Sequence, residues 1–260
     1  MRHFSTSLFL CTLTFFLMDP ADADAQVVNV ERHRVQADTF NVWTGGLGFG
    51  LSVSKSANQV VRLNTTSDLT YVAKKHDFLF IARNNFLRVE GENVMNDGYA
   101  HLRAVLFRDN TLAPEVFLQA QYNLDWGLAR RTLAGSNVRI RLHETDSFSA
   151  FVSTGLMFEN EIWKDEDEDL RDVRNLLKST TSFNLRGRLT DSVDLAAISY
   201  YQARPDRFFK PRFTSDWQVR FRISENLRFA LQFVSTFDSD PPLNSTEFIY
   251  NINNILEVRF

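Results

Sequence analysis

Hydrophobic and polar residues alternate one by one along most of this chain. From Trp43 to Ser54, Trp43, Leu47, Phe49, Leu51 and Val53 fall on one side, while Thr44, Gly46, Gly48, Gly50, Ser52 and Ser54 fall on the other. Successive side chains of a strand point to opposite faces, so this segment predicts a strand with one apolar and one small or polar face. A helix would mix the two sets. The same period returns where Ala100, Leu102, Ala104 and Leu106 alternate with His101 and Arg103. It returns again where Val116, Leu118, Ala120 and Tyr122 alternate with Glu115, Phe117, Gln119 and Gln121. Val138, Ile140 and Leu142 alternate with Arg139 and Arg141; Phe183, Leu185 and Leu189 alternate with Asn184, Arg186 and Arg188. Further on, Phe213, Trp217, Val219 and Phe221 alternate with Asp216, Gln218, Arg220 and Arg222, and Leu227 to Phe233 repeats the pattern.

About twelve segments are predicted, near 40–54, 59–73, 78–90, 99–109, 113–126, 131–142, 148–163, 175–189, 193–203, 212–223, 227–238 and 247–260. The expected fold is all-β: a single antiparallel transmembrane β-barrel of about twelve strands over 39–260. An even count puts both chain ends on one side of a membrane. With the first strand running outward, the inner turns Lys74–Asp77, Asp109–Leu112, His143–Ser147, Thr190–Ser192 and Ser224–Asn226 are short. The outer connections include the longer Gly91–Gly98, Lys164–Arg174, Arg204–Pro211 and Ser239–Thr246, although those at Lys55–Asn58 and Gly127–Arg130 are short. Short inner turns with longer outer loops are the pattern of bacterial membrane barrels.

The last strand closes on Phe260, with Phe248, Tyr250, Ile252, Leu256 and Val258 on its apolar face. A C-terminal Phe on such a strand resembles the signal read by the outer-membrane insertion machinery, so Tyr250, Leu256, Val258 and Phe260 are expected to carry it. The other end agrees. Arg2 and His3, the apolar run Leu8–Met18 and the small-x-small site Ala23-Asp24-Ala25 read as a signal peptide over 1–25, followed by an N-terminal periplasmic segment over 26–38. Its removal leaves roughly 235 residues, ample for one large domain. A retained N-terminal anchor would need a longer apolar run, and a lipoprotein would need a small residue before Cys11 where Leu10 stands.

Composition then narrows the chemistry. Cys11 is the only cysteine and would leave with the signal, which excludes disulfides, thiolate catalysis and Cys-based metal sites in the mature chain. A net charge of −3 speaks against nucleic acid as a partner. Twenty-four Phe beside a mean hydropathy of −0.24 fit a membrane barrel, in which apolar residues are spread by alternation instead of gathered in long runs.

Candidate chemistry is sparse. The glycines between Gly45 and Gly50 lack the spacing of a phosphate-cradling loop and no helix follows, so they read as a strand face leaving room for neighbours. Of the histidines after residue 25, His33 precedes the barrel and His76 and His143 fall in inner turns; His101 alone faces the lumen. No serine follows it on the strand as in the barrel phospholipases, so a buried polar network is its expected role. The lumen set comprises His101, Arg103, Glu115, Gln119, Gln121, Arg139, Arg141, Glu159, Glu161, Arg186, Arg188, Arg220 and Arg222, with Arg228, Arg259, Asp125, Asp216 and Glu257 as further inward charges. Such charges either lock a lumen by cross-strand pairs or line a narrow, charge-selective path. The acidic stretch Asp165–Asp169 reads as a solvated outer loop, and no cofactor or metal set is expected. The sequons at Asn64 and Asn244 mean little in a bacterium.

Several segments resemble an uncharacterised bacterial family of salt-induced outer-membrane proteins: His101-Leu102-Arg103, Glu115 to Asn123, Gly155 to Glu161, Tyr200-Tyr201-Gln202 and Asp238 to Pro242. The similarity spans roughly 80–260, with the N-terminal strands matching only in pattern. That family has Pro directly after the Tyr-Tyr-Gln run, where this chain has Ala203 and then Pro205 two places on. The resemblance implies an outer-membrane barrel without assigned catalytic residues. The expected function is therefore a non-enzymatic outer-membrane barrel, structural or a narrow pore. Its expected partners are outer-membrane lipid and lipopolysaccharide, with the insertion machinery and periplasmic chaperones during biogenesis. The alternatives are a barrel enzyme acting on lipid through His101 and a soluble, lipocalin-like periplasmic binder.

Overall fold

The computed structural model describes residues 40–164, 171–241 and 246–258. The signal peptide, the segment 26–38, the acidic stretch 165–169, Asn244-Ser245, Arg259, Phe260 and the Glu257 side chain lie outside the described residues.

Twelve strands follow one another: β1 (Val42–Lys55), β2 (Gln59–Val72), β3 (His76–Val89), β4 (Glu92–Leu106), β5 (Leu112–Asn123), β6 (Leu128–Glu144), β7 (Phe148–Lys164), β8 (Arg171–Thr190), β9 (Val193–Ala203), β10 (Arg212–Arg222), β11 (Leu227–Asp238) and β12 (Phe248–Val258). Each pairs antiparallel with the next, so the fold is a single all-β meander in sequence order. β1 begins and β12 ends at the same end of the sheet, called proximal below; the opposite end is distal.

The sheet is rolled. Ile81 on β3 and Ile198 on β9 are fully buried in one cluster, although six strand spacings separate them. At about 4.8 Å per spacing that is nearly 30 Å along the sheet, far beyond the reach of two isoleucines. Contact requires the two halves to face each other across the concave side. Among the described residues no ladder joins β12 to β1.

The convex face is apolar and uncovered. Leu47 and Phe49 are 76% and 74% exposed, and Leu118, Leu156, Phe158, Trp217 and Ile252 are at least half exposed. The concave face holds the buried charge: Glu115, Glu159, Glu161, Arg131, Arg139, Arg212 and Asp216 are almost fully enclosed. Aromatic rings gather at both ends of the convex face. Trp43, Tyr71 and Phe78 stack in a row at the proximal end, with centroids 5.0 and 6.3 Å apart. Phe248 and Tyr250 stack at the distal end, 5.8 Å apart.

Three expectations need correction. β4 starts at Glu92, so Gly91–Gly98 is not a loop; Glu90 and Gly91 form a two-residue turn with φ of 52° and 91°. Positive φ at both central residues matches the right-handed twist of a hairpin, and the polar run after the turn hid the strand from a hydrophobic pattern. The strand expected over 113–126 ends at Asn123, and Leu124–Trp126 is a single 3-10 turn instead. Asn123 accepts from the Trp126 backbone N–H and Gly127 closes the turn in the left-handed region, which removes Asp125 from the lumen face. The outer loop expected from Lys164 is shorter, because β8 begins at Arg171.

Candidate functional site

The concave face carries three layers from distal to proximal end. The distal layer is built on β7, whose alternation sends Glu159, Glu161 and Trp163 inward while Leu156 and Phe158 point out. Arg131 from β6 bonds Glu159 through Nε at 2.5 Å and lies 3.1 Å from Glu161. Lys178 from β8 pairs with Glu159. Arg212 reaches across from β10, over two intervening strands, and donates to Glu161 at 2.6 Å and Glu159 at 3.2 Å. Its Nε is engaged by Asp238 of β11 at 2.7 Å. The Trp163 indole N–H donates to Glu161 at 3.1 Å. Three cations thus face three carboxylates, and five of the six side chains are under 10% exposed. Guanidinium forks suit this role because one Arg serves several carboxylate oxygens at fixed angles.

The middle layer is apolar and aromatic. Ile81 and Ile198 meet across the lumen, with Leu79, Tyr99 and Tyr200 packed on them. Beside them Phe117, Leu133 and Met157 form a second buried cluster. Gly135 makes room for it: a Cβ there would lie 2.4 Å from the Phe117 ring. His101 stacks on Phe117 at 6.2 Å, its Nδ1 2.9 Å from Gln119 Oε1, and Gln119 donates onward to Gln121. Glu115, 1% exposed, sits between Arg103 at 3.8 Å and Arg139 at 3.7 Å, and Arg139 lies 3.7 Å over the Phe151 ring.

The proximal layer is open. A cavity of about 570 Å³ is lined by β8, β9, β10 and the β6–β7 turn. Arg186, Arg188 and Arg220 line it with Glu144, Asp146 and Asp194. Arg141 holds Glu144 at 2.8 Å. Arg188, Arg220 and Arg222, expected in a lumen network, are exposed at this mouth. Their strands end here, so water reaches the guanidinium groups.

Most of the inward set read from alternation falls on the concave face. The chief members of the distal cluster missing from that set are Arg131, Lys178, Arg212 and Asp238. The signal for Lys178 and Arg212 was present: both keep the parity of the inward residues Asn184 and Asp216 on their own strands.

Residues 47–256 match the family described as "Protein of unknown function, DUF481". The chain belongs to that family. The match covers nearly all of the sheet, from β1 into β12, so the family is defined by this twelve-stranded sheet and not by an appended domain. It fits the β-barrel family that the residues resemble. No curated protein matches the chain.

Proposed function

We propose that this DUF481 chain is a non-enzymatic barrel of the bacterial outer membrane, exported by its signal peptide, whose lumen is filled. The carrying observation is the inversion of polarity. The large apolar side chains of the convex face are exposed, whereas the enclosed face holds ion pairs. In water so large an apolar surface would drive aggregation; monomeric proteins rarely expose contiguous patches above a few hundred Å². In a bilayer it is the favoured surface. The outward run from Trp43 to Val53 spans roughly 33 Å along a strand, or about 25 Å of membrane thickness at a typical tilt, which matches the hydrocarbon band of bacterial barrels. The aromatic rows at either end suit the two interfaces.

The filled lumen is supported by the contacts across it. Arg212 to Glu161 and Ile81 to Ile198 bridge opposite or distant strands at two levels. A lipid enzyme working through His101 is disfavoured, because the ring is 3% exposed, faces inward and is committed to Gln119 and Phe117. A lipocalin-like binder would need the reverse polarity, an apolar lumen and a polar exterior. Lipid and lipopolysaccharide are accordingly the partners of the convex face, and the insertion machinery and periplasmic chaperones those of biogenesis. Planar-bilayer recording on refolded protein is the test: the bilayer stays silent, and discrete conductance steps from the unmodified protein would overturn the filled lumen.

A further inference from the structure

We propose that the proximal cavity is a binding site for a small oxyanion, a phosphorylated or polycarboxylated solute reaching it from the side that carries the chain termini. The inference rests on the filled lumen, which makes this cavity a dead-end vestibule and not the mouth of a path. At about 570 Å³ it falls within the size range of small-molecule sites.

The fold brings a set of charged and polar side chains together there. Arg186 and Arg188 extend inward from β8, and Arg220 extends inward from β10, with the short β9 residue Asp194 between them. The carboxylates on the wall are mostly committed. Glu144 is bound by Arg141 at 2.8 Å, and Asp194 lies 3.8 Å from Arg188, a distance that leaves the guanidinium donors room for a second acceptor. Asp146 sits exposed on the β6–β7 turn at the rim. Arg220 has no side-chain partner among the described residues, and neither has Gln218, although Gln218 is only 6% exposed and lines the same cavity. Its amide opens onto the cavity, where both its donor and its acceptor are available to a bound group. Phe148 supplies an apolar edge, and the Ser149 hydroxyl is turned to the Arg186 backbone carbonyl at 3.4 Å. Arg222 stands two residues beyond Arg220 on the same strand face and adds to the positive field.

Phosphate and carboxylate are the groups this set selects. Arginine forks bind both in bidentate fashion, whereas a cation would meet Arg186, Arg188 and Arg220 first. The amide of Gln218 beside them suits a remaining oxygen. The two sources of oxyanion differ in shape, so a diphosphate and a tricarboxylate are separate arms of one experiment.

Isothermal titration of the refolded mature barrel in detergent, with inorganic pyrophosphate in one arm and citrate in the other, tests the site. Saturable binding is expected in at least one arm, and the better arm names the source. Arg220→Gln, at an exposed position, should keep the heat-shifted folded band on an unboiled gel and weaken binding at least tenfold. Gln218→Leu should weaken it less, and Arg130→Gln, on the other side of the sheet, should leave it unchanged. No saturable heat in either arm, or equal affinity in Arg220→Gln, overturns the site. The outcome separates from that of the bilayer recording. A protein that conducts yet binds in this way loses the filled lumen and keeps the site; a silent protein that fails to bind does the opposite.

Discussion

The distal ion cluster and the proximal vestibule are made from the same residue types by the same alternation, yet they behave oppositely. In the distal cluster Arg131, Lys178 and Arg212 are enclosed and matched by Glu159, Glu161 and Asp238. In the vestibule Arg188 and Arg220 are exposed, and their nearest carboxylates are loosely placed or held elsewhere. The difference lies in chain geometry. β7 and β8 run on to Lys164 and back from Arg171, long enough for their charges to meet Arg212 inside the wall. At the proximal end tight turns near Ser192 and Leu227 tie β8 to β9 and β10 to β11, and among the described residues no segment crosses over the opening. Inward charge alone therefore does not specify a plug. A partner at the same height across the lumen does.

The sharpest way to break the comparison is to remove one arginine from each region. Arg212→Ala leaves only Arg131 and Lys178 to balance three carboxylates, two of them fully enclosed, and losing one member of a buried pair costs about 3–5 kcal/mol. The urea midpoint of folding into detergent or lipid should fall sharply. Arg220→Ala should change it by no more than about 0.5 kcal/mol, as for most surface substitutions. Equal losses would mean that the two regions are alike.

Second comes the apolar waist that separates them. Ile81→Ala with Ile198→Ala removes the contact across the lumen, at about 2–5 kcal/mol for each fully buried residue. If the waist seals the lumen, this double variant should gain brief conductance steps while the parent stays silent. Gly135→Ala is expected to cost less, about 1–3 kcal/mol, because the new methyl displaces the Phe117 ring on which His101 stacks. Shifted aromatic ellipticity in the near ultraviolet would report it.

How much of this was legible before the structure follows from what alternation can and cannot carry. A period of two names the face of a residue, and on that basis Glu115, Glu159, Glu161 and Arg139 are placed inward and Val116, Leu118 and Trp217 outward. It does not name the height or the partner. The convergence of Arg212 on Glu161 depends on how strongly the sheet curves between β7 and β10, which no local pattern encodes. Strand ends were legible where apolar residues reached the turn, as at Val193 and Leu227, and illegible where the strand ran on through polar residues, as from Glu92 to Asp97.

The smallest expected effect lies in the β9–β10 loop. Arg204 clamps Asp206 at 2.9 and 2.6 Å, and this hydrogen bonding holds the Asp206 carboxyl below its usual range. A depressed carboxylate contributes stability that is present above its unfolded value, near 3.8, and is lost as pH falls through the lower folded value. The loop should therefore keep its order through mildly acidic pH and loosen only below that range. Arg204→Ala should return the Asp206 titration, followed by carboxyl NMR, toward its ordinary position.

The central claim is the inversion of polarity, and site-directed spin labelling along β7 tests it most directly. Single cysteines, placed one at a time from Ser153 to Phe158 in a Cys11-free chain, would be labelled after reconstitution into lipid vesicles. Collisions with lipid-dissolved oxygen should be high at Thr154, Leu156 and Phe158 and low at Ser153, Gly155 and Met157, a period of two with the apolar positions facing lipid. Equal oxygen accessibility at every position, or the opposite phase, would contradict a barrel that turns its apolar face to the membrane.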